Sequence, residues 1–145
     1  MKYFILMFLL INCIFRTYQT KNKQKNCKRY YDKAMHSFVY TSPDEMPEYP
    51  GSLVKFYSFL SKNTIYPIVK ENEVIQSKVL LTFIVDTLGN ARALAIHNKP
   101  MQYYSPLDIS VLNAAKQMKK WKPGKCNGKK VFVRVNTYII ITPQI

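Results

Sequence analysis

The chain opens on a block of unbroken hydrophobicity and only later settles into periodic patterns. Met1-Lys2 leads into Tyr3 to Phe15, apolar except for Asn12, and Arg16 closes the run. Polar residues then dominate as far as Lys33, and the folded part is expected to begin near Ala34 to Val39. Beyond "EMPEYPG" (residues 45–51), Leu53, Phe56, Tyr57 and Leu60 fall at i, i+3, i+4 and i+7, one face of a helix, with Ser52 placed to cap it. Asn63 and Tyr66-Pro67 stop this helix, and a polar link through Glu71-Asn72-Glu73 follows. In "SKVLLTFIVDTLGNARALAIHN" the period changes to two. Val79, Leu81, Phe83 and Val85 share one strand face, and Leu80, Thr82 and Ile84 share the other. Thr87-Leu88-Gly89-Asn90 reads as a hairpin turn, with Ala91 to His97 returning antiparallel.

Ser105-Pro106-Leu107-Asp108 combines an N-cap serine, a proline at the first helical position and a carboxylate that can reach back to the cap. It predicts a helix whose apolar face is Leu107, Val111, Ala114, Ala115 and Met118, continued by Trp121 and ended by Pro123-Gly124. Asn127-Gly128 marks a turn, and Val131, Val133 and Val135 alternate in a last strand running on to Ile141. The prolines of "EMPEYPG" push Met46 and Tyr49 toward extended geometry, which suits a short edge strand before the first helix. The predicted fold is therefore α+β, a small antiparallel sheet with two helices packed on one face, in the order β-α-β-β-α-β. Residues 1–18 read as a leader, 19–38 as a basic polar linker and 39–145 as the folded domain.

The leader and the charge bear on location and partners. The apolar run suits a secretory signal and falls short of the roughly 20 residues of a membrane span, so the reading is export, with a short membrane anchor as the alternative. A cut at Tyr18-Gln19 has no small-x-small signal before it. Cys13, after "LLIN", opens a lipoprotein alternative in which its thiol carries the lipid. Loss of residues 1–18 removes Lys2 and Arg16 and lowers the formal charge from +14 to +12. The positive charge gathers at Lys21 to Lys33 and at Lys116 to Arg134. Such a field attracts anionic membrane surfaces or acidic protein faces, while export argues against nucleic acid. After processing, Cys27 and Cys126 remain as an even pair, which favours a disulfide in an oxidising compartment. No C-x-x-C or His-x-His spacing supports a metal, and no cofactor motif is present.

Catalytic chemistry finds little purchase. Asp86, His97 and His36 are the acid–base candidates near turns, and they form no recognisable constellation; the serines lack a nucleophile-elbow pattern. Asp86 beside Gly89 reads as a turn-former. A basic sheet face bearing Phe83, Phe132 and Tyr138 lacks any ribonucleoprotein-type motif. No catalytic residue is assigned.

Taken together, "PEYPG", the helix ending in "NTIYP", "KVLLTFIVDTLGN", "SPLDISVLNAAKQMKKWKPGKCNGKKV" and the β-rich tail resemble the C-terminal domain of TonB-type proteins, over roughly Glu45 to Thr142. The resemblance implies a binding domain that captures an extended segment of an outer-membrane transporter, or another envelope protein, by adding it to a free sheet edge. The edge it implies is the Val131 to Ile141 strand, with Val131, Phe132, Val133, Arg134, Val135, Asn136 and Tyr138 as contact residues. The same edge leaves open a homodimer by strand exchange. A complete transducer of this family has a transmembrane helix and a long proline-rich linker. Here residues 16 to 45 would reach only about 100 Å fully stretched, at about 3.3–3.6 Å per residue. The expectation is an exported, periplasmic or membrane-tethered module, with a structural or accessory envelope role, or a small secreted enzyme, as alternatives.

Overall fold

The computed structural model describes residues 27–66 and 77–140. The leader, Cys13, the polar link at 71–73 and the end of the chain from Ile141 lie outside them. The described elements are β1 (Lys28–Asp32), β2 (Ser37–Ser42), α1 (Leu53–Asn63), β3 (Lys78–Val85), β4 (Ala91–Ile96), α2 (Pro106–Lys116), β5 (Lys125–Cys126), β6 (Lys129–Lys130) and β7 (Phe132–Ile140). They build an α+β fold: a five-stranded sheet in the order β1-β2-β7-β3-β4, two helices, and the small β5-β6 hairpin.

The two-residue alternation of β3 determines how the layers stack. Val79, Leu81, Phe83 and Val85 point into one core with Phe56 and Leu60 of α1 and with Leu107, Val111, Ala114 and Ala115 of α2. β3 pairs antiparallel with β7 along its whole length, Lys78 opposite Ile140 and Val85 opposite Val133. On its other side it pairs with β4. The β3–β4 turn is held by Asp86, whose carboxylate accepts the backbone N–H groups of Leu88 and Asn90 at 2.9 and 2.8 Å. α2 starts with the full capping box: the Asp108 N–H donates to Ser105 Oγ, and the Ser105 N–H donates back to the Asp108 carboxylate. Two orphan donors are thereby satisfied at the helix start.

Five expectations need correction. The sheet is mixed rather than wholly antiparallel, because β2 lies parallel to β7. Residues 28–38 are not linker: Lys28–Asp32 and Ser37–Ser42 form the β1–β2 hairpin on the sheet. "EMPEYPG" forms no strand of its own and instead runs beside Lys122–Lys125 through isolated bridges at Glu45 and Glu48, with Pro47, which lacks an N–H, between them. Ser52 does not cap α1. Its φ is 110° and its side chain makes no cap hydrogen bond. The second helix also ends early, at Lys116, so Trp121 reaches the core from an extended segment whose N–H donates to the Gly89 carbonyl at 2.8 Å.

Candidate functional site

β7 is where pairing is incomplete. One side is occupied by β3 from Val133 to Ile140, and the other carries β2 only at Phe132 and Val133, opposite Val39 and Tyr40. Among the described residues, Arg134 to Ile140 have no second neighbouring strand. The expectation of one continuous free edge from Val131 to Ile141 is corrected accordingly. Val131 precedes the strand, its N–H donating to the Gly124 carbonyl; Phe132 pairs with Val39 of β2, and Val133 is flanked on both sides, by Tyr40 and Val85. The open portion contains Arg134, Val135, Asn136 and Tyr138 from the predicted set.

Side chains alternate along this portion. Val135 and Thr137 face the helices with Val133 and Ile139, whereas Arg134, Asn136 and Tyr138 face away. On the far face, Arg134 donates to the Tyr30 hydroxyl and pairs with Asp32 at 3.2 Å, which ties the β1–β2 hairpin to β7. The Asp32 carboxyl is held below its usual pKa, chiefly by the Met35 N–H, against the opposing effect of burial, with Ala34, Arg134 and Tyr30 adding to the stabilisation of the anion. Asn136 accepts a 2.6 Å hydrogen bond from the Thr82 hydroxyl, and the Lys78 ammonium lies 3.9 Å from the Tyr138 ring centre.

On the helix face, β7 borders a groove of about 680 Å³ lined by residues 46–49, 51–53, Phe56, Tyr57, Trp121 and Val135–Thr137. Its buried lining is an aromatic cluster. Trp121 lies 5.2 Å from Tyr49, 5.1 Å from Phe56 and 5.3 Å from Phe83, centre to centre, spacings at which aromatic pairs attract by about 0.5–1.5 kcal/mol beyond their burial. Its rim is exposed and apolar: Met46 is 51% accessible, Leu53 59% and Tyr57 39%. The Tyr57 and Thr137 hydroxyls hydrogen-bond at 2.8 Å and link α1 to β7 across the groove. The indole N–H of Trp121 is buried with no partner among the described residues. Of the groove's lining, Val135 and Asn136 belong to the predicted contact set, whereas residues 46–57 and Trp121 were not singled out for binding by sequence pattern.

Cys27 and Cys126 are joined in a disulfide, Cα to Cα 6.3 Å. The bond joins the start of β1, at Lys28-Arg29, to the β5–β6 hairpin, at Lys125 to Lys130, and so links the two basic stretches. A carboxylate oxygen of Asp44 lies within 4.8 Å of both sulfurs, and that carboxylate accepts the Asn127 N–H at 2.7 Å. With the sulfurs bonded to each other, this grouping is not a thiolate ligand set. Of the acid–base candidates, His36 is exposed in the β1–β2 turn at φ 49°, His97 follows β4, and the Asp86 carboxylate is occupied by Leu88, Asn90 and Arg92. No helix among the described residues is long and apolar enough to cross a membrane.

Compared with protein-family models, with curated proteins and with solved structures, the chain matches none.

Proposed function

We propose that the chain is an envelope binding module of the TonB C-terminal type, engaging an extended segment of an outer-membrane transporter or other envelope protein by strand addition to β7, in the service of energy-coupled transport. The observation that carries this reading is the half-open ladder: β7 is paired with β3 from Val133 to Ile140 but with β2 only at Phe132 and Val133. Unpaired main-chain groups at a sheet edge supply affinity to any extended guest, and alternate side chains supply selectivity. The order α1, β3–β4 hairpin, α2 and last strand accords with the resemblance in "KVLLTFIVDTLGN" and "SPLDISVLNAAKQMKKWKPG", which suggests the class of partner. A strand already seated on the first two residues of the edge leaves the guest the stretch from Arg134 onward.

An amide-resolved NMR titration with periplasmic segments of outer-membrane receptors tests it. The expected result is new protection of N–H groups between Arg134 and Ile140, with β4 and β1 unchanged. Protection confined to β1 or β4 would move the binding edge, and no response to any receptor segment would leave the structural or accessory role in place of transport.

A further inference from the structure

We infer that the groove beside β7 is an anchor pocket for one large apolar side chain, aromatic or leucine, carried by an acidic extended segment of the partner protein. This rests on the strand-addition reading and specifies what the added strand must contain. A guest strand lying along Arg134–Ile140 presents every second side chain toward the helices, the side on which Val135 and Thr137 border the groove. That side offers buried aromatic surface from Tyr49, Phe56 and Trp121 and an uncovered rim of Met46, Leu53 and Tyr57. A cavity of this size and lining falls within the range of pockets that hold compact apolar ligands, about 300–1,000 Å³. An arriving Phe or Leu covers the exposed rim and removes its own surface from water.

Charge selects the rest of the guest. All six described carboxylates are already engaged: Asp32, Glu45, Glu48, Asp86 and Asp108 in ion pairs, and Asp44 with the Asn127 N–H. The described residues set sixteen Lys and Arg against these six carboxylates, a net charge of +10, and exposed Lys119, Lys120, Lys129 and Lys130 have no acidic neighbour among the ion pairs described. Acidic residues in the guest are drawn to this field, and basic ones are repelled.

The test uses the full processed chain and three synthetic nine-residue peptides: a glutamate-rich extended sequence with a central Phe, the same with that Phe replaced by Ala, and the first with Lys in place of Glu. Trp121 is the chain's only tryptophan and lines the groove, so its fluorescence reports filling directly. The first peptide is expected to bind with a saturable Trp121 change, the other two about tenfold or more weaker, and Leu53→Asp, at an exposed rim position, to weaken the first peptide by a similar factor. Equal binding of all three peptides, with protection along β7 and no Trp121 response, overturns the anchor pocket while the strand-edge reading stands. Absence of any binding or protection for all three, alongside failure of receptor segments, overturns both.

Discussion

Gly89 shows how one residue decides a local structure. Its φ is +88°, and a Cβ placed on it would come within 2.0 Å of the Trp121 carbonyl oxygen. The close approach is what lets the Trp121 N–H reach the Gly89 carbonyl and swing the indole into the aromatic cluster. Gly89→Ala is therefore expected to destabilise by about 1–3 kcal/mol through backbone strain alone, and further because the Trp121 carbonyl it would meet is backbone that cannot rotate aside. Gly128, at φ +75° with open space around it, serves as control: its Ala variant meets the strain without the collision. Urea midpoints of the two variants should differ in that order, and equal midpoints would show that the turn relaxes. Asp86, in the same turn, carries a pH signature. Burial opposes its ionisation, but the side chains of Asn90 and Arg92 and the N–H groups of Asn90 and Leu88 outweigh it and bring the pKa to about 2. A folded pKa below the unfolded value of about 3.9 contributes stability that is fully present above that value and is lost as pH falls through about 2. The gap in urea midpoint between the parent and Asp86→Asn is thus expected to be widest near neutrality and to close between pH 4 and about pH 2.

At the scale of elements, what the sequence disclosed and what it hid have separate physical causes. β3 was legible because its eight residues alternate around a two-sided burial that only a strand provides, and α2 because Ser105, Pro106 and Asp108 write their hydrogen bonds into adjacent positions. β1 and β2 were illegible: "KRYYD" buries no residue and "SFVYTS" buries only Val39, so no apolar period announces them. What fixes this hairpin to the sheet lies about a hundred positions away, on β7 and at Cys126, where local pattern is silent. The alternation in β7 gave away a strand but not its neighbours, which is why Phe132 and Val133 could be read as open edge when β2 occupies them. Helix periodicity overshot at Trp121 for a related reason. The indole does belong to the apolar core, yet it arrives by way of a backbone contact with Gly89 rather than on the face of α2. The groove was out of reach altogether, since its lining is assembled from three stretches, 46–57, Trp121 and 135–137, that meet only in the folded chain.

For the molecule as a whole, the Cys27–Cys126 bond divides what is intrinsic to the domain from what is attached to it. The core of β3, β4, β7, α1 and α2 buries its aromatic and aliphatic side chains without help from the first hairpin. β1–β2 is held by less: Val39 buried on the far face, Arg134 reaching Tyr30 and Asp32, two residues of parallel pairing, and the disulfide at its start. Closing a loop across a sequence separation of 99 residues restricts the unfolded chain and stabilises by up to about 4.7 kcal/mol in the chain-entropy model. Reduction, or a Cys27→Ser/Cys126→Ser variant, is therefore expected to lower the urea midpoint of the whole domain. It should also act unevenly, because a hairpin freed at one end opens at lower cost than the core strands do. Native-state hydrogen exchange with and without dithiothreitol separates the two effects. Protection is expected to fall first at Lys28–Ser42 and at Phe132–Val133, while Val79–Val85 stays protected to near the global unfolding limit. In that state the open edge would lengthen toward the start of β7, and a peptide bound from Arg134 onward would gain two further ladder positions. Uniform loss of protection across β2 and β3 together would mean instead that the hairpin and the core unfold as one unit, and that the disulfide sets only how stable the domain is, with no influence on how much of β7 a guest can reach.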